Sequence, residues 1–287
     1  MARFQYRLRV ANKERGLLMQ GLDPVLDKIP AHIKTVWSFN LTQMLLAFLI
    51  PIIDATAPHV AGFKPNISFF LAFDDEKSCK FYGQEAQSII CQYIRQKYPN
   101  HILVLDAKDG DIGASNDGYA KRAFVGYEAD AVTWDPYLGV AMKGQALKYK
   151  GKGFIALGRT SNSEGTALQN LQLKDGRRVF EATVDEWLKA RKEGCQIGFV
   201  AGATHPEELG AIRKRVGAAL LLVPGVGAQQ GDLMAVVNAG FCGTYGNMLI
   251  NVSSGSLYAS RGTDFAEAAA GYMQNLNDTI ATILSRG

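Results

Sequence analysis

The sequence predicts an α/β protein folded as a single TIM (β/α)8 barrel over residues 1–287. Three observations carry that expectation. Eight short apolar runs recur along the chain, amphipathic stretches of helical length separate them, and no long linker interrupts the alternation. A doubly wound sheet is the competing arrangement. Against it, the first run turns through LDPVLDK (22–28), which lacks the glycine fingerprint of a dinucleotide site.

In order, the runs are LLMQGLDP (17–24), HVAGFKPN (59–66), HILVLDAK (101–108), AVTWDPYL (131–138), GFIALGRTS (153–161), QIGFVAGAT (196–204), AALLLVPGV (218–226) and LINVSSGSL (249–257). Each is short and closed by glycine or polar residues, as a barrel strand should be. The stretches 35–49, 76–98, 118–127, 184–194, 206–216, 232–240 and 264–284 carry apolar residues at three- and four-residue spacing, the period of a helix with one buried face. The lysine-rich segment 139–152 fits either a short helix or a surface loop.

Composition narrows the function class. The chain is 47% apolar and 20% charged with a net charge of +4, ordinary for a globular protein and without a disorder signature. Its lysines and arginines are scattered, so no basic tract points to nucleic acid or a membrane surface, and an anionic small molecule suffices as partner. Cys79, Cys91, Cys195 and Cys242 form no CxxC pair, so neither a zinc site nor a disulfide framework is expected, and a reducing compartment fits. The N-terminus is charged and lacks the apolar core of a signal peptide. The longest apolar stretch, 44–53, is shorter than a bilayer span and contains Pro51, so a cytoplasmic protein is expected.

The most informative stretch is VLDAKDGDIGAS (104–115), where an apolar run ends in acids, lysine and glycine. Side chains alternate along a strand, so Asp106 and Lys108 should share one face while Ala107 points away. Asp111 follows Gly110, where the chain can turn into a helix capped by Ser115 or Asn116. A lysine bracketed by Asp106 and Asp111 is held protonated, and holds the acids ionised. A strand-end ion pair without function has the same D-x-K spacing. The other strand ends decide between these readings. Asp23, Lys64 and Asn66, Asp135, Thr160 and Ser161, Thr204, Gln229, and Ser253 with Ser254 should converge on one mouth. There Asp23, Lys64, Asp106 and Lys108 can form a chain of alternating charge. PGVGAQQGD (224–232) is a glycine-rich turn into a helix, a ready anion site at a position where barrels often bind phosphate.

Taken together, LDP (22–24), FKPN (63–66), LDAK and GDIG within 105–113, VTWDPYLG (132–139), RTSN (159–162), GATHPEEL (202–209) and PGVGAQQGD (224–232) resemble the orotidine 5′-phosphate decarboxylase family, in its longer bacterial-type branch. The motifs occur in the family's order and cover most of the chain. The resemblance implies decarboxylation of orotidine 5′-monophosphate to UMP without metal or cofactor, in a homodimeric barrel. It makes Lys108 the proton donor to C6, places Asp106 beside the substrate carboxylate, and has Lys64 hold Asp106 and the ribose. Asp111 and Ser115 would reach the ribose in the partner's site. Asp23 would bind ribose hydroxyls, Ser161 the pyrimidine edge, and Gln229 the pyrimidine and phosphate.

Three positions depart from the family's pattern. Asp109 stands where arginine is usual and adds a negative charge beside the site. Gly255 stands where the family carries a phosphate-binding arginine, leaving Arg261 as the candidate replacement. RTSNSEG replaces the usual RTSNPG in the loop over the pyrimidine. Two alternatives therefore accompany the main reading: a metal-dependent sugar-phosphate decarboxylase or aldolase of the same barrel superfamily, and a non-catalytic nucleotide-binding homologue.

Overall fold

The computed structural model describes residues 3–192, 195–226 and 232–286. Eight parallel strands close into a barrel in sequence order: β1 (Leu18–Leu22), β2 (Gly62–Pro65), β3 (Ile102–Asp109), β4 (Ala131–Trp134), β5 (Gly153–Arg159), β6 (Gln196–Ala201), β7 (Leu220–Pro224) and β8 (Met248–Val252). β8 pairs back onto β1 through Leu18 opposite Ile250 and Gln20 opposite Val252, which completes the ring. All eight apolar runs become strands, and the doubly wound alternative is thereby excluded.

Alternation along the strands sorts the core into two layers. One cluster, including Leu18, Phe63, Leu103, Leu105, Val132, Phe154 and Ile250, faces the surrounding helices. The other, including Met19, Ala61, Ile102, Val104, Ala131, Ile155 and Leu249, fills the barrel interior. A helix that the sequence reading did not assign, Phe4–Arg15, belongs to that interior cluster through Phe4, Leu8 and Ala11. The Phe4 amide bonds to the Gly151 carbonyl just before β5, so this helix closes the N-terminal end of the barrel. Function is left to the opposite mouth.

Several helix boundaries differ from the periodic pattern for local reasons. The stretch 35–49 is divided between helices Ala31–Trp37 and Leu41–Thr56, because Asn40 is extended and its side chain accepts the Gln43 N–H at 3.0 Å as an N-cap. In 76–98, residues 76–78 form only a 3-10 turn capped by Asp75, and the helix proper is Tyr82–Lys97. The 139–152 segment contains a short helix, Lys143–Lys148. The apolar stretch around residue 44 extends further than expected. Leu41–His59 spans 19 residues at a mean hydropathy of 1.5, enough by length and composition to cross a membrane. Half of it is buried within the protein, with Met44, Leu45, Phe48, Leu49, Ile52 and Ile53 in the core, as in a barrel's outer helix.

Candidate active site

The end of β3 is built by a bulge. Leu105 pairs with Val132 and Asp109 with Trp134, so four steps along β3 match two along β4. The extra length is absorbed around Lys108, whose φ of 51° lies in the left-handed region that non-glycine residues rarely adopt. Thr133, the β4 residue inside the bulge, holds it. Its hydroxyl accepts the N–H groups of Ala107 and Lys108, each at 3.0 Å, and donates to Asp106 Oδ1 at 2.9 Å. The shared orientation of Asp106 and Lys108 thus depends on this bulge as well as on strand alternation.

Asp106 is the hub. Lys64 Nζ on β2 lies 2.5 Å from its Oδ2, and Lys108 Nζ lies 2.7 Å from its Oδ1. Burial opposes ionisation of this carboxyl, but the two ammoniums and their hydrogen bonds hold it well below the usual carboxylate range. Burial likewise opposes the Lys64 ammonium, and Asp106 and Asp23 outweigh it, leaving Lys64 above its ordinary value. The expected bracket of Lys108 between two acids is corrected to a carboxylate between two lysines. The ion pair described for Lys108 is with Asp106, while Asp111 Oδ1 accepts the Ile112 N–H at 2.7 Å.

These groups line a cavity of about 640 Å³ at the C-terminal mouth, the size of a small-molecule site. Of the predicted strand-end residues, Asp23, Lys64, Asn66, Asp106, Lys108, Thr160, Ser161, Ser253, Ser254 and Gly255 line it. Ser161 is fixed by close approach of two strand ends. Thr204 Oγ1 donates to its carbonyl at 2.8 Å, and a Cβ on Gly202 would lie 2.6 Å from Ser161 Cα, so only glycine fits there. Asp23 Oδ1 and Asn251 Oδ1 are buried without a hydrogen-bond partner, leaving acceptors for a ligand.

Other predicted residues fall elsewhere. Asp111, Ser115, Asp135, Thr204 and Arg261 are not among the described lining residues, and Gln229 lies outside the described residues. Arg261 is exposed in the turn before the last helix. Ser115 does not cap its helix: Gly113–Lys121 starts after Ile112 without a side-chain cap. Instead Asn116, buried inside that helix, accepts the Asp111 N–H at 3.0 Å and donates to the Asp111 carbonyl at 2.5 Å. Asp109 is also corrected. Its side chain is buried and pairs with Arg122 at 2.6 Å, away from the cavity wall, so it adds no charge to the mouth. Burial pushes its carboxyl above the ordinary value, with Arg122 offsetting part of that shift. Thr133, Asn251 and Lys28 line the cavity and were not singled out from the sequence. The bulge hides the role of Thr133, because its signal is a backbone conformation rather than a motif.

A closed parallel barrel with a lysine-aspartate-lysine chain on the wall of a mouth cavity defines an enzyme of the (β/α)8 class. The profile of the Orotidine 5'-phosphate decarboxylase / HUMPS family matches residues 42–270, and the chain belongs to that family. An orotidine 5′-phosphate decarboxylase of Bordetella avium is 41% identical over 275 residues, covering 94% of this chain and 95% of its own. One from Ralstonia nicotianae is 39% identical, covering 97% and 98%. The solved structure of Leishmania donovani OMP decarboxylase matches with a TM-score of 0.78 at 30% identity, covering 98% of both chains.

Proposed function

We propose that this chain, one barrel throughout, decarboxylates orotidine 5′-monophosphate to UMP in pyrimidine nucleotide synthesis. The observation that carries the reading is the Lys108 ammonium, fixed 2.7 Å from Asp106 on the cavity wall. In this reaction the C6–carboxylate bond breaks, CO2 leaves, and its electron pair stays on C6. That carbanion lies in the ring plane with little delocalisation. A fixed ammonium stabilises it electrostatically and then gives it a proton from Nζ, which water later replaces. No electron sink is required.

Asp106 holds Lys108 in place and lies beside the substrate carboxylate, while Lys64 fixes Asp106 and reaches the ribose. Asp23, with its unpartnered oxygen, accepts from ribose hydroxyls, and Ser161 meets the pyrimidine edge. Gln229 bridges the pyrimidine and the phosphate. Asp111 and Ser115 serve the ribose of a partner subunit's site in a cytoplasmic homodimer, which fits their position outside this chain's own cavity. The test is the ultraviolet change on loss of orotidine 5′-monophosphate, with and without EDTA. Turnover unaffected by EDTA supports the reading. A metal requirement would move it to the sugar-phosphate chemistry of related barrels, and binding without turnover to a non-catalytic homologue.

A further inference from the structure

The cavity holds one lysine that its own acids do not neutralise. The charged residues among its described lining are Asp23, Lys28, Lys64, Asp106 and Lys108. Lys64 and Lys108 are both bonded to Asp106, and Asp23 adds its charge to Lys64. Three lysines against two aspartates leave one positive charge. Among the described residues, Lys28 is joined to no carboxylate.

Its place in the fold is built. Lys28 Nζ lies 5.2 Å from the ring centroid of Tyr258. That ring stacks on Phe48 at 5.9 Å, and its hydroxyl accepts the Val25 N–H at 2.8 Å and donates to the Asp23 carbonyl at 3.1 Å. Tyr258 therefore ties the turn carrying Lys28 to the segment after β8. Ser254 and Gly255 of that segment line the same cavity. A Cβ on Gly255 would lie 2.6 Å from Tyr272 Oη, and Gly255 itself presents only backbone to the cavity. Lys28, on the turn after β1, and Ser254 and Gly255, after β8, thus line one cavity.

We propose that Lys28 binds the phosphate monoester of the ligand, on the β1 and β8 side of the mouth and away from Lys108 on β3. The inference rests on the substrate proposed above and names a further binding residue for it. A compact ammonium with three donors on a flexible stem suits a phosphate dianion, and the aromatic ring holds the stem near the cavity before the ligand arrives. Binding energy gained there, remote from C6, can be used to orient the pyrimidine against Lys108.

The experiment compares binding of UMP and of uridine, which lacks the phosphate, in wild type, Lys28→Gln, Lys28→Met and Lys28→Arg. Expected is a loss of UMP affinity of about tenfold in Lys28→Gln and Lys28→Met with uridine unchanged, and recovery to within about threefold in Lys28→Arg. Lys28→Met keeps an apolar stem over Tyr258, so a defect it shares with Lys28→Gln belongs to the charge rather than to packing. Equal loss for UMP and uridine, or no loss for UMP, would overturn the assignment. Wild-type turnover of orotidine 5′-monophosphate tests the parent reading separately. An active wild type with an unaffected Lys28→Gln sinks only the role of Lys28; an inert wild type sinks the proposed reaction.

Discussion

Thr133 and Asp106 are joined by a 2.9 Å hydrogen bond in which the threonine hydroxyl is the donor, while the same oxygen accepts two backbone N–H groups from Ala107 and Lys108. A hydroxyl has one proton and two lone pairs, and here all three are used. One side chain therefore fixes both the carboxylate that orients Lys108 and the backbone from which Lys108 projects.

Thr133→Val keeps the shape and removes every one of those bonds. Two N–H groups and a carboxylate oxygen lose a partner, at about 1–3 kcal/mol for an unsatisfied buried group. The bulge should relax and Lys108 lose its alignment. Expected is a fall in kcat of about tenfold to a hundredfold, larger than any rise in KM, with Thr133→Ser restoring most of the rate. Steady-state kinetics of the two variants decide it. Equal kinetics for Val and wild type would remove Thr133 from the site's construction.

Much of this arrangement was legible in the sequence, and the exceptions have physical causes. The eight strands announced themselves because apolar runs with polar ends repeat. The helix Phe4–Arg15 did not, because Arg7, Arg9, Lys13 and Arg15 obscure a narrow stripe of Phe4, Leu8 and Ala11. Lys64, Asp106 and Lys108 were placed together correctly, since strand ends of a parallel barrel share a mouth. The bulge that arranges them was not visible, because a left-handed lysine has no local sequence signal. Asp109 was expected beside the site by its position next to Lys108. Its partner Arg122 is 13 residues further on, across a helix, and only the folded chain shows that pairing.

The charged hub also sets a pH dependence of stability. The Asp106 carboxyl lies below its ordinary 3.8 in the folded protein, so its stabilising contribution is complete above 3.8 and is lost as pH falls below that through the folded value. Lys64 lies above its ordinary 10.5, so its contribution is complete below 10.5 and is lost as pH rises through its higher folded value. Asp106→Asn removes the anion hydrogen-bonded to the buried Lys64 ammonium and leaves it only the charge of Asp23, at about 3–5 kcal/mol. Denaturant unfolding should show that deficit as constant from about pH 5 to pH 9 and narrowing below about pH 4. A deficit that does not narrow in acid would contradict the ionised hub.

Asp109 behaves in the opposite sense. Burial raises its carboxyl above 3.8, so the folded protein binds the proton more tightly than the unfolded chain and loses stability as pH rises from 3.8 through the folded value. Asp109→Asn removes that loss. At pH 7 it should unfold no lower than wild type, and its stability should vary less with pH on the acid side. Arg122→Ala leaves the buried carboxylate, whose Oδ2 already lacks a partner, without Arg122. That variant should be less stable by about 1–2 kcal/mol, an unsatisfied-group penalty reduced by the partial exposure of Arg122. Thermal melts of both variants against pH provide the check.

The proposed sharing of sites between subunits makes a prediction that no monomeric barrel can meet. Lys108→Ala should abolish turnover while UMP binding stays measurable, because the ammonium acts on the carbanion more than on the bound ground state. Asp111→Ala should be impaired for a different reason, through the partner's ribose. The Asp111 backbone is held by Asn116, so removing this side chain costs the turn only the Oδ1 contact to the Ile112 N–H. In a mixed dimer, one of the two sites combines the intact Lys108 of the Asp111→Ala chain with the intact Asp111 of the Lys108→Ala chain. Random exchange places about half the chains in such mixed dimers, and one of the two sites in each is whole. Mixing the two variants under conditions that exchange subunits should therefore recover about a quarter of wild-type activity per site, whereas either alone stays low. If mixing recovers nothing although mass measurement shows mixed dimers, Asp111 serves its own subunit and the sharing of sites is wrong.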